Sequence, residues 1–225
     1  PLADDYGYST RSDSGLSINY KSALRYSPWW RGVNLISRDV AKLPLHAYKY
    51  KGEGKEKDTT HPGYVLLRRK ANRELTSFIF IQTLTANAMA CGNGYAFIDR
   101  DKRGTAAATP LELRWLDPLQ TYPVRENGAL LYVTFQEMTW RKLLPENVLH
   151  IRGLSFDGLC GYPVYQIAAD SLGLGLGAQK YGSKFFKNSA RPSVVIEIPG
   201  TMTSEAQKTF LEQWNRMHGG LEEAH

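Results

Sequence analysis

What this chain of 225 residues lacks narrows its function before any motif is weighed. It has two cysteines, Cys91 and Cys160, which excludes a disulfide-stapled scaffold. Each sits beside glycine among apolar neighbours and is expected as a small buried side chain. Its most apolar stretch, Phe78 to Cys91, is interrupted by Gln82, Thr83, Thr85 and Asn87. That stretch is too short and too polar to span a bilayer, so no membrane partner is expected. No signal-peptide pattern opens the chain.

Catalytic signatures are missing too. There is no phosphate loop closing on Gly-Lys-Ser/Thr, no nucleophile elbow and no cysteine-histidine zinc spacing. Gly173, Gly175 and Gly177 alternate, but inside a helical pattern rather than at the strand-to-helix turn of a dinucleotide site. His46, His61, His150, His218 and His225 are scattered, and His150 falls in a strand, where a structural role is expected. No catalytic residue, cofactor or metal is therefore expected. The one carboxylate pair that could hold a divalent metal is Asp99-Arg100-Asp101, at a hairpin tip where turn chemistry explains it as well.

What is present is globular. Hydrophobic content of 42% and charged content of 22% suit a packed core in one large domain or two small ones. The net charge of +6 permits a polyanionic partner without requiring one.

In chain order, residues 1–25 are rich in Ser, Asp, Gly and Tyr and are expected as an extended arm, disordered or bound to a neighbour. Ser27-Pro28 is expected to cap a helix whose buried stripe is Val33, Ile36, Val40 and Leu43, ended by Pro44. A strand over 45–50, a polar loop over 51–60 and a helix from Pro62 to near Arg73 follow. The basic run of Arg68, Arg69, Lys70 and Arg73 suits a solvated helix end. Thr76 caps an all-round apolar core helix ending at Gly92, and Gly92-Asn93-Gly94 is expected as a turn. Strands are expected at 95–99, 111–116, 121–125, 129–135 and 148–152. Asp101 to Gly104 should connect the first two, and Asn127-Gly128 is a hairpin signal. Near the end, Ser193 to Ile198 is expected as a strand turned at Pro199-Gly200. The last expected helix opens on a Ser204/Gln207 capping box. It carries an apolar stripe of Phe210, Leu211, Trp214 and Met217 and ends at Gly219-Gly220. This last unit reads as unfinished, as if the natural protein continued.

One stretch stands apart. Gly161 to Arg191 carries the longest expected helix, from Pro163 to about Asn188. Its first half is apolar on all sides. In its second half Lys180, Lys184 and Lys187 fall within an arc of about 60°, with Arg191 joining if the helix runs that far. No carboxylate occurs between Asp170 and Glu197. Gly173, Gly175, Gly177 and Gly182 would each cost about 1 kcal/mol in a free helix. Either a tight intramolecular bundle or packing beside copies of the same helix would offset that cost.

The segments SPWWRGVNLISRDVAKLPLHAYK, HPGYVLLRRKANRELTSFIF, GNGYAFIDRD, LDP at 116–118, VLHIRG with DGLCGYPV, and KFFKNSARPSVVIEIPG occur in this order. Together they resemble the portal proteins of tailed bacteriophages, in the branch common among long, flexible-tailed phages. The resemblance covers roughly residues 24–225, and the family's C-terminal region is absent. It implies an α+β portal fold: an N-terminal arm at 1–25, a wing at 26–162, a stem helix at 163–191 and the first part of a clip at 192–225. It also implies a homo-oligomeric ring, usually a dodecamer, at one capsid vertex in the virion, assembled in the host cytoplasm. Double-stranded DNA would pass through it without sequence readout. The implied partners are terminase, capsid or scaffold protein and a head-tail adaptor. Lys180, Lys184, Lys187 and Arg191 would then face DNA or carboxylates of the next subunit. Gly173, Gly175, Gly177 and Gly182 would serve close helix packing. Glu205, Lys208, Glu212 and Arg216 would form the clip's partner surface. Two readings from other classes remain: a monomeric or dimeric basic nucleic-acid-binding module, and a metal-dependent enzyme using Asp99 and Asp101.

Overall fold

The computed structural model describes residues 9–101, 109–187 and 200–218, and the chain is α+β. Of the expected arm, residues 9–25 are folded rather than extended, and 1–8 lie outside the described residues. β1 (Thr10–Arg11) and β2 (Ser17–Ile18) pair antiparallel, and Gly15 at φ +77° lies in the turn between them. α1 (Tyr20–Ala23) follows, closed by reciprocal hydrogen bonds between Asn19 and Ser22. Ile18 and Ala23 are buried against Tyr165, Ala169 and Leu172. Elements of two to four residues carry no readable periodicity, which is why the sequence suggests an arm.

α2 (Ser27–Lys42) starts one residue earlier than expected, with Tyr26 at the cap position and no side-chain cap. Its orientation also differs. The buried residues are Val33, Ser37 and Ala41, while Ile36, Val40 and Leu43 remain 49%, 38% and 63% exposed. The helix is rotated by about 80° from the orientation its apolar stripe suggests. It lies on small residues facing α4, where Gln82 Nε2 donates to Asn34 Oδ1 at 3.2 Å. Half of the expected polar loop is strand: β3 (Tyr48–Lys51) pairs with β4 (Gly54–Lys57), helped by Gly52 at φ +60°. Both strands are exposed and charged, so they lack an alternating apolar signal. A Lys51–Glu56 ion pair at 3.1 Å and Lys55 over the Tyr50 ring support the pairing. α3 (Pro62–Arg68) ends before Arg73. There Asn72 Oδ1 accepts from the N–H groups of Glu74 and Leu75 and turns the chain.

α4 (Ser77–Cys91) is capped by Thr76 and ends at Gly92 in the left-handed conformation. The strands are β5 (Asn93–Arg100), β6 (Pro110–Leu116), β7 (Thr121–Glu126), β8 (Ala129–Gln136), β9 (Thr139–Leu143) and β10 (Val148–Arg152). Asn93 and Gly94 already belong to β5, so the expected turn is only the left-handed Gly92. Of the expected β5–β6 connection, 102–104 lies outside the described residues. β9 has no counterpart among the expected strands. Its turn uses Glu137 and Met138 at φ 48° and 64°, with none of the Gly or Asn that marks Asn127-Gly128. Antiparallel sheets form in the orders β10-β5-β6 and β7-β8-β9.

β5 is covered on both faces, which explains its unbroken apolar run. Ala96 packs with Leu66, Phe80, Leu84 and Leu113 under the helices. Tyr95 packs with Leu116, Tyr132 and Val148 toward the second sheet.

The long helix is broken once. α5 (Val164–Ile167) is separated from α6 (Ala169–Lys187) at Ala168, whose φ −93° and ψ 17° leave the helical region. α7 (Ser204–His218) is capped by Thr203, whose Oγ1 accepts from Ala206 N–H at 3.3 Å, so the expected Ser204/Gln207 box is corrected. Along α7, Phe210 and Trp214 stack at 6.1 Å and Leu211 is exposed; no side chain from 204 to 214 is buried. The strand expected at 193–198, Pro199, the Met217 side chain and Gly219-Gly220 lie outside the described residues.

Candidate functional site

The candidate site is the helix formed by α5 and α6, and its position is set by a junction of backbones. Gly92 ends α4, Gly153 follows β10, and Gly161 precedes α5. Gly153 N–H donates to Gly92 O at 2.7 Å. A Cβ on Gly92, Gly94 or Gly161 would collide with backbone atoms of the facing segment. Asn93 locks this contact: its Nδ2 donates to Gly161 O and its Oδ1 accepts from Gly161 N–H, both at 2.8 Å.

His150 completes the network. Asn93 Oδ1 can only accept, so His150 Nε2 donates to it at 2.9 Å, and Nδ1 accepts from the Tyr132 hydroxyl at 3.2 Å. Both ring nitrogens are engaged, as expected for a structural histidine. Burial, assisted by nearby Arg152, lowers the His150 pKa to about 4, keeping the ring neutral. The sequence signal for this junction was the Gly-Asn-Gly run, which suggests a turn because the partner glycines are distant in sequence.

The arm packs on the first half of α6. Asp13 N–H donates to Asp170 Oδ1 at 2.8 Å. A Cβ on Gly173 would collide with the Ser12 and Ser14 side chains, and one on Gly175 with the Tyr26 ring. The cost of these two glycines is thus offset within one chain, by the arm and Tyr26. Among the described residues, Gly177 has only an ordinary contact with Leu16, and Gly182 has nothing within 4 Å.

Beyond Gly177 no other described element covers the helix, and its residues are exposed apart from half-buried Gly182. Lys180, Lys184 and Lys187 are exposed and form no ion pair among the described residues. A second stripe of Leu174, Ala178, Tyr181 and Phe185 runs about 120° around the helix from the lysines. Leu174 and Tyr181 are 70% and 74% exposed, so this apolar face is also uncovered among the described residues. Arg191 lies outside the described residues.

The remaining candidates are dispersed. Asp99 accepts from Arg114 Nη2 at 2.7 Å, and Asp101 N–H donates to Thr109 O at 3.0 Å, an ordinary hairpin closure. No group of three or more His, Cys, Asp or Glu side chains is arranged to hold a metal among the described residues. Cys91 and Cys160 are both buried, and burial raises the Cys91 pKa to about 12. Glu205, Lys208 and Glu212 are exposed on α7; the Arg216 side chain lies outside the described residues. No helix among the described residues is long and apolar enough to cross a membrane.

Known proteins share both sequence and fold with this chain. A probable portal protein of Streptomyces phage phiC31 is 28% identical over 233 aligned residues, covering 98% of this chain and 49% of that protein. The portal protein of Enterobacteria phage HK97 is 27% identical over 201 residues, covering 88% of this chain and 46% of its own length. The chain thus spans about half the length of the curated relatives it matches. In fold it is similar to a protein from the neck of an empty gene transfer agent particle solved with C6 symmetry, at 20% identity and a TM-score of 0.61. That similarity covers 99% of this chain and 61% of the other. A family model described as phage portal protein matches residues 27–225, and the chain belongs to that family.

Proposed function

We propose that the protein containing this chain forms a closed ring at one capsid vertex, through which double-stranded DNA is packaged and ejected. Residues 26–162 serve as the wing, 163–191 as the stem and 192–225 as the first part of the clip. Terminase and the head-tail adaptor meet the exposed α7 face of Glu205, Lys208 and Glu212, with Arg216. Capsid or scaffold protein surrounds the ring, which is dodecameric in this reading. Its role is structural, and DNA movement is powered elsewhere.

The observation that carries the proposal is the free half of α6, with two stripes of different chemistry about 120° apart. An apolar face of Leu174, Ala178, Tyr181 and Phe185 gains most by packing on the next copy. The lysine face is then turned elsewhere, toward the channel. A conduit must hold a polyanion without stopping it. Phosphate contacts from lysine are independent of base sequence and weaken with salt, which suits that task.

The ring is tested by native mass measurement of the full-length protein, for which a monomer is the failing result. The DNA-facing assignment is tested by changing Lys180, Lys184 and Lys187 together to alanine. Rings should still assemble, while DNA packaging or retention falls and becomes less sensitive to salt. Loss of rings without a separable DNA effect would instead place the lysines between subunits.

A further inference from the structure

The hairpin of β3 and β4 has two unlike faces. Residues opposite each other in an antiparallel pair share a face. On one face Lys49 opposes Glu56 and Lys51 opposes Gly54. Its charges balance: Lys51 pairs with Glu56 at 3.1 Å, and Lys49 lies near Asp58. On the other face Tyr48 opposes Lys57 and Tyr50 opposes Lys55, with no carboxylate among the four. Tyr50 is 82% exposed, and the Lys55 ammonium lies over its ring, 5.4 Å from the centroid. His46 meets Tyr48 at 6.3 Å with the rings crossed at 76°. Burial lowers the His46 pKa, and the nearby Lys57 and Arg68 lower it further. Lys55, Lys57 and Arg68 are exposed and form no ion pair among the described residues. Glu53, the other carboxylate of the hairpin, sits in the turn.

We infer that the face of Tyr48, Tyr50, Lys55 and Lys57 docks an acidic segment of a partner protein. The inference goes beyond the ring reading and does not depend on it. The asymmetry of the hairpin selects an anion: one face neutralises its own lysines, and the other leaves them unpaired beside Arg68. Lys55 and Lys57 are two strand positions apart, about 7 Å, which is also the spacing of alternate residues in an extended segment. Carboxylates at alternate positions can therefore meet both lysines while the segment covers the tyrosine rings. Tyrosine is enriched where proteins meet. Nucleic acid fits less well. Bases need open ring faces to stack on, whereas Lys55 lies over Tyr50 and His46 crosses Tyr48. A duplex is gripped by cations spread along its phosphates, and a cluster of three suits a short run of carboxylates better. The face offers no aliphatic side chain to a permanent contact within the same polypeptide. Contacts made by exposed charges form and release with salt, as suits a separate protein.

The test is binding of a fluorescein-labelled decapeptide of alternating glutamate and threonine to the full-length protein, read by anisotropy at physiological salt. Lys55→Glu with Lys57→Glu should weaken binding about tenfold, since two exposed ion pairs become repulsions. Lys49→Glu with Lys51→Glu makes the same change of net charge on the balanced face and should weaken binding less than about twofold. Equal losses from the two faces mean attraction to net charge alone and overturn the inference, as does a wild-type protein that does not bind. If the first variant misfolds, Lys55→Gln with Lys57→Gln decides: a loss of about threefold is expected, and no loss overturns the inference. A DNA duplex that binds more tightly than the peptide, through the same two lysines, assigns the face to nucleic acid and overturns the inference. In the purified full-length protein Lys55 and Lys57 should acetylate as fast as Lys49. Protection there assigns the face to the rest of the polypeptide or to a neighbouring copy and overturns the partner-protein assignment. A protein that forms no ring yet binds the peptide through Lys55 and Lys57 refutes the ring reading and supports this face.

Discussion

Two sets of glycines look alike in the sequence and differ in the structure. Gly92, Gly94, Gly153 and Gly161 meet other backbones at the junction that positions α5. Gly173, Gly175, Gly177 and Gly182 lie along α6 and meet side chains, ordinary contacts or open space. A backbone cannot move aside without dragging its element with it, whereas a serine hydroxyl or a tyrosine ring can rotate. The first set therefore defines the fold, and the second tunes what lies on the helix. A glycine's cost in its own helix says nothing about which kind it is; only the facing atoms do.

The sharpest way to break this comparison is Gly161→Ala. The added Cβ would land on the Gly92 carbonyl, in a contact also held by Asn93. The expected loss is about 3–5 kcal/mol, in the range of severe overpacking. For a chain of this size that lowers the melting temperature by about 10 °C. A thermal shift of less than about 2 °C would mean that the junction is soft and that the two glycine sets are not distinct.

Gly173→Ala should act more locally. The new methyl group displaces the Ser12 and Ser14 side chains, while alanine returns about 1 kcal/mol of helix propensity. The net cost should fall on the docking of residues 9–25, at about 1–2 kcal/mol. Limited proteolysis reads this directly: cleavage within 9–25 should accelerate by about tenfold, with α4 and the sheets still protected. Unchanged cleavage would show that the arm is held by Ile18 and Ala23 alone.

The same distinction explains what the sequence revealed. Thr76, Gly92 and Asn127-Gly128 mark local events, and the structure has a helix cap, a helix stop and a hairpin there. Features that depend on distant partners were hidden. Asn93 reads as a turn residue until Gly161 and His150 are beside it. β9 turns on residues without turn chemistry. Ile36, Val40 and Leu43 are truly amphipathic, but periodicity shows that a face is to be covered, not which molecule covers it. On α6 the lysine stripe and the glycines were visible. The arm that packs against two of those glycines was not, because its elements are too short to show a period.

The smallest effect expected is also the most discriminating. Gly182 has no neighbour within 4 Å among the described residues, so Gly182→Ala meets no obstacle there. Alanine restricts the unfolded chain and favours helix, and the unassembled subunit should gain up to about 1 kcal/mol. In the proposed ring, Gly182 is a point at which the next copy's helix can approach closely. Gly182→Ala should therefore stabilise the subunit while weakening the ring, measured as a higher melting temperature beside a lower ring yield in native mass spectra. If the subunit and ring both gain, no copy approaches Gly182. The proposed contact between neighbouring α6 helices would then rest on Leu174, Tyr181 and Phe185 alone.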